Sequence, residues 1–233
     1  MKKAVILQSN YIPWKGYFDL IHDADIFIFY DVVKYTKNDW RNRNTIYTKN
    51  GKQWLSIPIE ASAVKLTINE VEIKDQNWIE NHYKSLSLGY KKAPYFNQLD
   101  ELLSDYYTNY RWKLLSDFNQ YIIKDISKRL GLITIFRNAE EFNLEGNKIE
   151  KLINILKEVN ATTYITGPAA KDYLNGMENL FTESGISLEY KAYPAYPAYR
   201  QLTEPFENSI SILDLVANLS WEEIPAHIWG KSH

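Results

Sequence analysis

The feature that most constrains this chain is the order of elements in its first 31 residues. Ala4-Val5-Ile6-Leu7 is a continuous apolar run, the pattern of a strand buried on both faces of a parallel sheet. Gln8-Ser9-Asn10-Tyr11-Ile12-Pro13 follows as a polar turn. A helix then starts at Gly16, with Phe18, Leu20 and Ile21 apolar, and closes at His22-Asp23. Ile26 to Tyr30 is a second apolar strand, ending in Asp31. Two parallel strands joined through a helix predict a right-handed crossover.

Beyond this unit, Gln53 to Ile59 and Lys65 to Ile73 read as strands, the second with a slip at Asn69-Glu70 that predicts a bulge. Asn77 to Leu88 and Pro94 to Tyr107 read as helices. Trp112 to Leu130 has the clearest helical spacing, and Gly131 is its stop. Leu132 to Phe136 reads as a short buried strand, Asn147 to Val159 as an amphipathic helix, and Thr162 to Thr166 as a strand. Ala169 to Leu174 resumes a helix, Leu188 to Tyr190 is a strand, and Ile210 to Leu219 is the last helix. Tyr193 to Tyr199 reads as one extended Pro-Ala-Tyr loop. The expected fold is α/β, a mostly parallel sheet flanked by helices, with residues 1–233 as one domain and a helical insertion over about 76–130.

Composition bounds function. Hydrophobic residues make up 45%, enough for a sizeable core. The net charge of −2 gives no global pull toward nucleic acid or an anionic membrane, so neither is an expected partner. There is no Cys, which excludes thiolate chemistry and Cys-based zinc sites. His22, His82, His227 and His233 show no metal-ligand spacing, and no metal site is expected. The apolar run after Met1-Lys2-Lys3 is too short for a signal-peptide core, and nothing approaches the ~18 apolar residues of a membrane span. A cytoplasmic location is the expectation.

Ligands of open α/β sheets bind beyond the carboxyl ends of the strands. Three strand ends carry polar groups: Gln8 to Asn10, Asp31, and Thr166-Gly167. Gly16 either lets a backbone approach a ligand or permits the turn. Asp31 at a strand end suits a general base, a metal ligand or a hydroxyl acceptor, and also a turn cap. Asp39-Trp40-Arg41-Asn42-Arg43-Asn44 is the most unusual segment. Its two Arg point the same way if the segment is a strand, and each offers a forked donor to phosphate or carboxylate. Its two Asn offer amides and Trp40 a stacking face. From Lys34 to Lys52, six basic residues face one acid, Asp39, so the near-neutral total hides a basic patch. Thr166-Gly167-Pro168-Ala169-Ala170-Lys171 stands where free amides at a helix start, with Lys171, could hold an anion. Each segment also has a plain structural reading as a solvated loop or helix start. No Walker motif, Rossmann glycine set or Gly-x-Ser-x-Gly elbow is present.

Residues Gln8 through Ile21, with Asp31, Tyr35-Thr36-Lys37 and Asp39 to Asn44, resemble the WbqC-like family. Thr166 to Leu174 resembles that family's second signature, and Gln201 through Asp214-Leu215 its third. One departure is that the family commonly has two acids after the second strand, where this chain has Asp31 and Val32. The resemblance implies a bacterial origin and a place in O-antigen or other surface-polysaccharide assembly. It thereby suggests an enzyme acting on a nucleotide-activated amino sugar, with N-acylation leading. In that scheme Lys37, Arg41 and Arg43 meet the diphosphate, and Trp40 or Tyr11 meets a base or sugar. Asp31 takes the amine proton. Gln8, Asn10, Trp14, Gly16, Tyr17, Asn42, Asn44, Thr166, Gly167 and Lys171 complete the site. Acyl-coenzyme A would be a co-substrate, with no tightly bound cofactor. The strand–Pro13–Gly16-Tyr17–helix layout also looks like the start of a nucleotidylyltransferase fold, with Trp14 and Tyr17 in place of its two histidines. A non-catalytic binding subunit of a glycan-assembly complex is the third reading.

Overall fold

The structure is a computed structural model that describes residues 1–108 and 111–230; His233 lies outside them. Five strands form one sheet: β1 (Lys3–Leu7), β2 (Ile26–Phe29), β5 (Ile135–Asn138), β6 (Thr163–Thr166) and β7 (Ser187–Tyr190). Their spatial order is β5-β2-β1-β6-β7, and all four pairings are parallel. Relabelled by sequence within this sheet, that order is 3-2-1-4-5, the doubly wound pattern. The chain steps from β1 to β2 to β5 in one direction, then returns across β1 to β6 and β7. The direction reverses between β1 and β6, so the loops leaving those two strands diverge there.

The strand sequences explain their places. Phe27 and Phe29 face one core and Ile26 and Ile28 the other, so β2 has no polar face. Burial on both sides is what a continuous apolar run predicts. The edge strands differ. β5 was expected to be buried, yet Ile135 is half-exposed and Ile133 is almost wholly exposed. A run this short cannot distinguish an edge from a centre, because position depends on what the rest of the chain stacks beside it.

The helices sort between the two faces. α1 (Lys15–His22) and α4 (Leu115–Arg129) share a core with α2 (Asn77–Tyr90), α3 (Phe96–Thr108) and α8 (Leu213–Asn218). α5 (Lys148–Glu158) and α7 (Glu178–Glu183) cover the other face, and α6 (Lys171–Leu174) follows β6. Their ends follow capping chemistry. Asn147 accepts the amides of Ile149 and Glu150, and Glu150 answers at the amide of Asn147. Gly131 ends α4 with φ of +76°, a conformation most residues resist. The helical block from α2 to α4 packs on the same core as α1, and Gln98 ties α3 to the end of α8 through the carbonyls of Val216 and Leu219. No helix among the described residues is long and apolar enough to cross a membrane.

Two strands differ from expectation. β3 (Arg43–Thr48) and β4 (Gly51–Ser56) form a separate antiparallel hairpin. β3 starts inside the polar segment that ended at Asn44 in the sequence reading. Lys65 to Ile73 is no strand. Its slip is a 3-10 turn over Ile68–Glu70, whose Thr67 and Glu70 form a capping box. Isolated bridges, Lys34 to Thr67, Ile59 to Ile73 and Glu72 to Leu114, mark extended pairing there.

Candidate functional site

The loop after β1 is the most distorted part of the sheet's carboxyl edge. Ile12, β-branched and fully buried, has φ of +36°. A β-branched residue adopts that region only when its surroundings force it, at a cost of about 1–3 kcal/mol. The force is visible. Asn44 on β3 donates its side-chain amide to the carbonyls of Tyr11 (3.0 Å) and Ile12 (2.9 Å). The amide of Tyr11 donates to the carbonyl of Trp40 at 2.9 Å, and Tyr17 donates its hydroxyl to the carbonyl of Gln8 at 2.9 Å. Ser9 N–H donates to Asp31 at 2.8 Å. The amide of Ile212 reaches the carbonyl of Pro13, and that of Ser211 the carbonyl of Thr45, so the C-terminal segment straps the loop to the hairpin.

This knot opens into a cavity of about 260 Å³ lined by Asn10, Pro13, Trp14, Trp40, Asn44 and Ser209. Trp40 is half-exposed and stacks on Trp54 of β4. Trp14 stands edge-on to Tyr193 and Tyr196. Gly16 finds its reason here. A Cβ at that position would lie 2.2 Å from the Trp14 indole. Its φ is not in the left-handed region, so turn geometry does not explain it. It makes room for the ring of Trp14.

Of the expected site residues, Asn10, Trp14, Trp40 and Asn44 meet in the cavity. Several others correct the sequence reading. Tyr11 is fully buried, bonded to His82 Nδ1 (2.7 Å) and the Tyr107 hydroxyl (2.5 Å), so its ring is core and not a stacking face. Tyr17 is core as well. Arg41 and Arg43 are not two positions of one strand, since β3 starts at Arg43, and both guanidiniums act on the Asp39 carboxylate. Arg41 bonds Asn10 and lies 3.6 Å from Asp39. Arg43 sits over the Trp54 ring and donates to the carbonyl of Asn38. Lys37 and Asn42 line a separate cleft of about 210 Å³ with Tyr35 and Glu60. Gln8 enters through its carbonyl, as above. Thr166, Gly167 and Lys171 do not line the cavity. Lys171 lies over Tyr190, Thr166 accepts the amide of Lys191, and α6 has only four residues.

Asp31 is buried, with its oxygens on Ser9 N–H and the Gln120 side-chain amide at 3.0 Å. Burial pushes its carboxyl up, and Gln120, Ser9 and the nearby Arg41 oppose this. It does not line the cavity, so here it anchors a loop. Val32, where the family commonly has a second acid, packs against the α5 core.

Sequence reasoning passed over a second buried polar centre. Lys15 has no exposed surface and its Nζ has no hydrogen-bond partner. The rings of Tyr196, Tyr199 and Phe206 surround it at 4.9 to 5.6 Å. Burial lowers its pKa to about 8, while Asp214 pulls the other way. Asp214, also buried, accepts from the Tyr199 hydroxyl (2.5 Å) and Gln201 Nε2 (2.9 Å). A charge placed inside apolar runs, as Lys15 and Asp214 both are, was the available signal. Among the described residues, Asp19, His22 and Asp23 bring metal-type ligand atoms within 4.8 Å of one another. Lys191 Nζ bonds Asp19 at 2.8 Å and Asp23 at 2.7 Å, so an ammonium already serves both carboxylates.

The comparisons with known proteins agree with the motifs at this edge. A family model described as the WbqC-like protein family matches residues 8–226. The chain belongs to the WbqC-like family. Within it, the chain is 39% identical over 223 residues to "Uncharacterized protein Rv1507c" of Mycobacterium tuberculosis, a match covering 95% of this chain and 96% of that protein. No solved structure matches this WbqC-like chain.

Proposed function

We propose that this WbqC-like protein is a bacterial surface-polysaccharide enzyme that seats a nucleotide-activated amino sugar in the Trp14–Trp40 cavity and acylates its amine. The observation that carries the reading is the make-up of that cavity: two indoles, two carboxamides and a hydroxyl around about 260 Å³. Aromatic faces with a few fixed polar groups are the general build of small-ligand sites. Acyl transfer from a thioester forms the C–N bond, breaks the C–S bond and passes the amine proton to the departing thiolate. Acyl-coenzyme A is the donor of that kind. Asp31 lies too deep to take the proton in this conformation, so positioning carries the catalysis.

A second reading is a binding subunit without turnover. It is favoured by the absence of any Asp, Glu, His or Lys among the six residues that line the cavity. The nucleotidylyltransferase alternative has less support. Trp14 and Tyr17 stand where imidazoles would be needed, and both are committed to aromatic packing and the Gln8 carbonyl.

The test is to incubate purified protein with a panel of amino-sugar nucleotides and acyl-coenzyme A donors, and to read products by mass spectrometry and binding by calorimetry. An N-acylated sugar nucleotide is expected. Binding without product supports the subunit reading, and neither binding nor product overturns both.

A further inference from the structure

The cavity is too small for a whole sugar nucleotide. At about 260 Å³ it falls below the range of roughly 300–1,000 Å³ that encloses a drug-sized ligand. One sugar ring fits, and the nucleotide must then lie outside, against a surface continuous with the rim. Two rim directions are open to it. Toward Ser209 the chain leads to Glu207, whose carboxylate is already paired with Lys52 of β4 at 2.6 Å. Toward Trp40 it leads onto the β3–β4 hairpin, where Arg43 lies over the ring of the half-exposed Trp54. The aromatic surface beside a guanidinium favours the hairpin.

The hairpin also presents an aromatic surface that its own packing does not require. Trp54 is half-exposed, and its cross-strand partner is Thr45. Its ring stacks on Trp40 with centroids 5.7 Å apart and planes 29° from parallel. The Arg43 guanidinium lies 4.4 Å from the ring centroid of Trp54. Two large indoles left half in water are unusual on a surface, because burying either one would gain several times the free energy of a typical surface contact. Here their backbones are held, since the Trp40 carbonyl is bonded to the Tyr11 amide and Trp54 lies in a paired strand, and the two rings pack on each other. A rigid π-surface beside a cation is the arrangement that stacks a base without reading its edge.

We infer that Trp54, with Trp40 and Arg43, is the platform on which the nucleobase of the ligand stacks while the sugar enters the cavity. This rests on the sugar-nucleotide reading of the cavity and adds a residue that the family motifs do not include. It also predicts a tolerant choice of base. Stacking is nearly indifferent to base identity, and Arg43 lies over the Trp54 ring with a donor committed to the Asn38 carbonyl.

The experiment titrates wild-type protein, Trp54→Ala and Trp54→Phe with UDP, GDP, dTDP, UDP-N-acetylglucosamine and free glucosamine, following tryptophan fluorescence and calorimetry. Trp54 is half-exposed, so the variants are expected to fold, and circular dichroism checks this. Wild type should bind all four nucleotides with affinities within about tenfold of one another. Trp54→Ala should lose about tenfold or more for each of them, as loss of a base–aromatic stack does, with Trp54→Phe close to wild type and glucosamine unaffected. Nucleotide binding by Trp54→Ala equal to wild type overturns the platform and leaves the cavity reading standing. Failure of wild type to bind any nucleotide overturns the cavity reading, and the platform with it.

Discussion

Two loops leave neighbouring parallel strands at the point where the sheet reverses direction, and they are built in opposite ways. The loop after β1 is over-determined. Asn44, Asp31, Tyr17 and the strap at Ser211-Ile212 each fix part of its backbone, and together they hold Ile12 at φ of +36°. The loop after β6 is ordinary: Gly167 and Pro168 open a 3-10 turn, and Lys171 rests over Tyr190. The cavity belongs to the first loop. Strain that persists because its surroundings enforce it is a mark of a working site, whereas a Pro at a helix start is a routine structural choice. The contrast ranks two segments that looked equally promising in sequence.

Substitutions can break that ranking. The largest effect is expected from Asn44→Ala, which leaves the Tyr11 and Ile12 carbonyls buried without their donor. Chemical denaturation should show a loss of about 3 kcal/mol, together with loss of ligand binding. If stability falls by less than about 0.5 kcal/mol, the loop is not held by Asn44. Gly16→Ala comes next. Its Cβ would displace the Trp14 ring, for about 2 kcal/mol and a changed tryptophan emission.

Lys15→Met tests the buried charge through pH. The folded pKa of Lys15 is lowered to about 8 from 10.5, so the unfolded chain holds the extra proton between those values. Wild-type stability contributed by this group therefore rises with pH across about 8 to 10.5, and below 8 the buried ammonium costs its full amount. Lys15→Met should be more stable than wild type at pH 7, by about 2 kcal/mol after allowing for screening, and the gap should close by pH 10.5. A gap independent of pH would mean that the charge is not what the substitution removes. The smallest effect is expected from Lys171→Ala on the ordinary loop, within about 0.5 kcal/mol for stability and without change in ligand affinity.

The sequence made the sheet legible where local pattern decided it. β1, α1 and β2 were read to within a residue or so, because an apolar run that is buried on both faces carries its own signal. β3 was missed because Asn44 to Thr48 is buried nearly throughout yet half polar, so no period-2 alternation reveals it. The 3-10 turn at Ile68 was written plainly as Thr67-x-x-Glu70, a capping box that the near-alternation of Leu66, Ile68, Val71 and Ile73 concealed. For the cavity lining, Trp14, Trp40, Asn10 and Asn44 could be read because aromatic and amide side chains cluster in the motif. Tyr11 and Asp31 could not be placed. Whether such a residue faces a cavity or the core depends on His82, Tyr107 and Gln120, which lie far along the chain. Trp54 and Lys15 required tertiary neighbours before their positions meant anything.

The central claim is that the working surface lies between Trp14 and Trp40 and not at the β6 corner. The most direct measurement is calorimetric titration of one amino-sugar nucleotide, UDP-glucosamine, into Trp40→Ala and Lys171→Ala beside wild type. The account predicts that Trp40→Ala loses binding by about tenfold or more while Lys171→Ala matches wild type. Binding that survives Trp40→Ala and disappears in Lys171→Ala would contradict it.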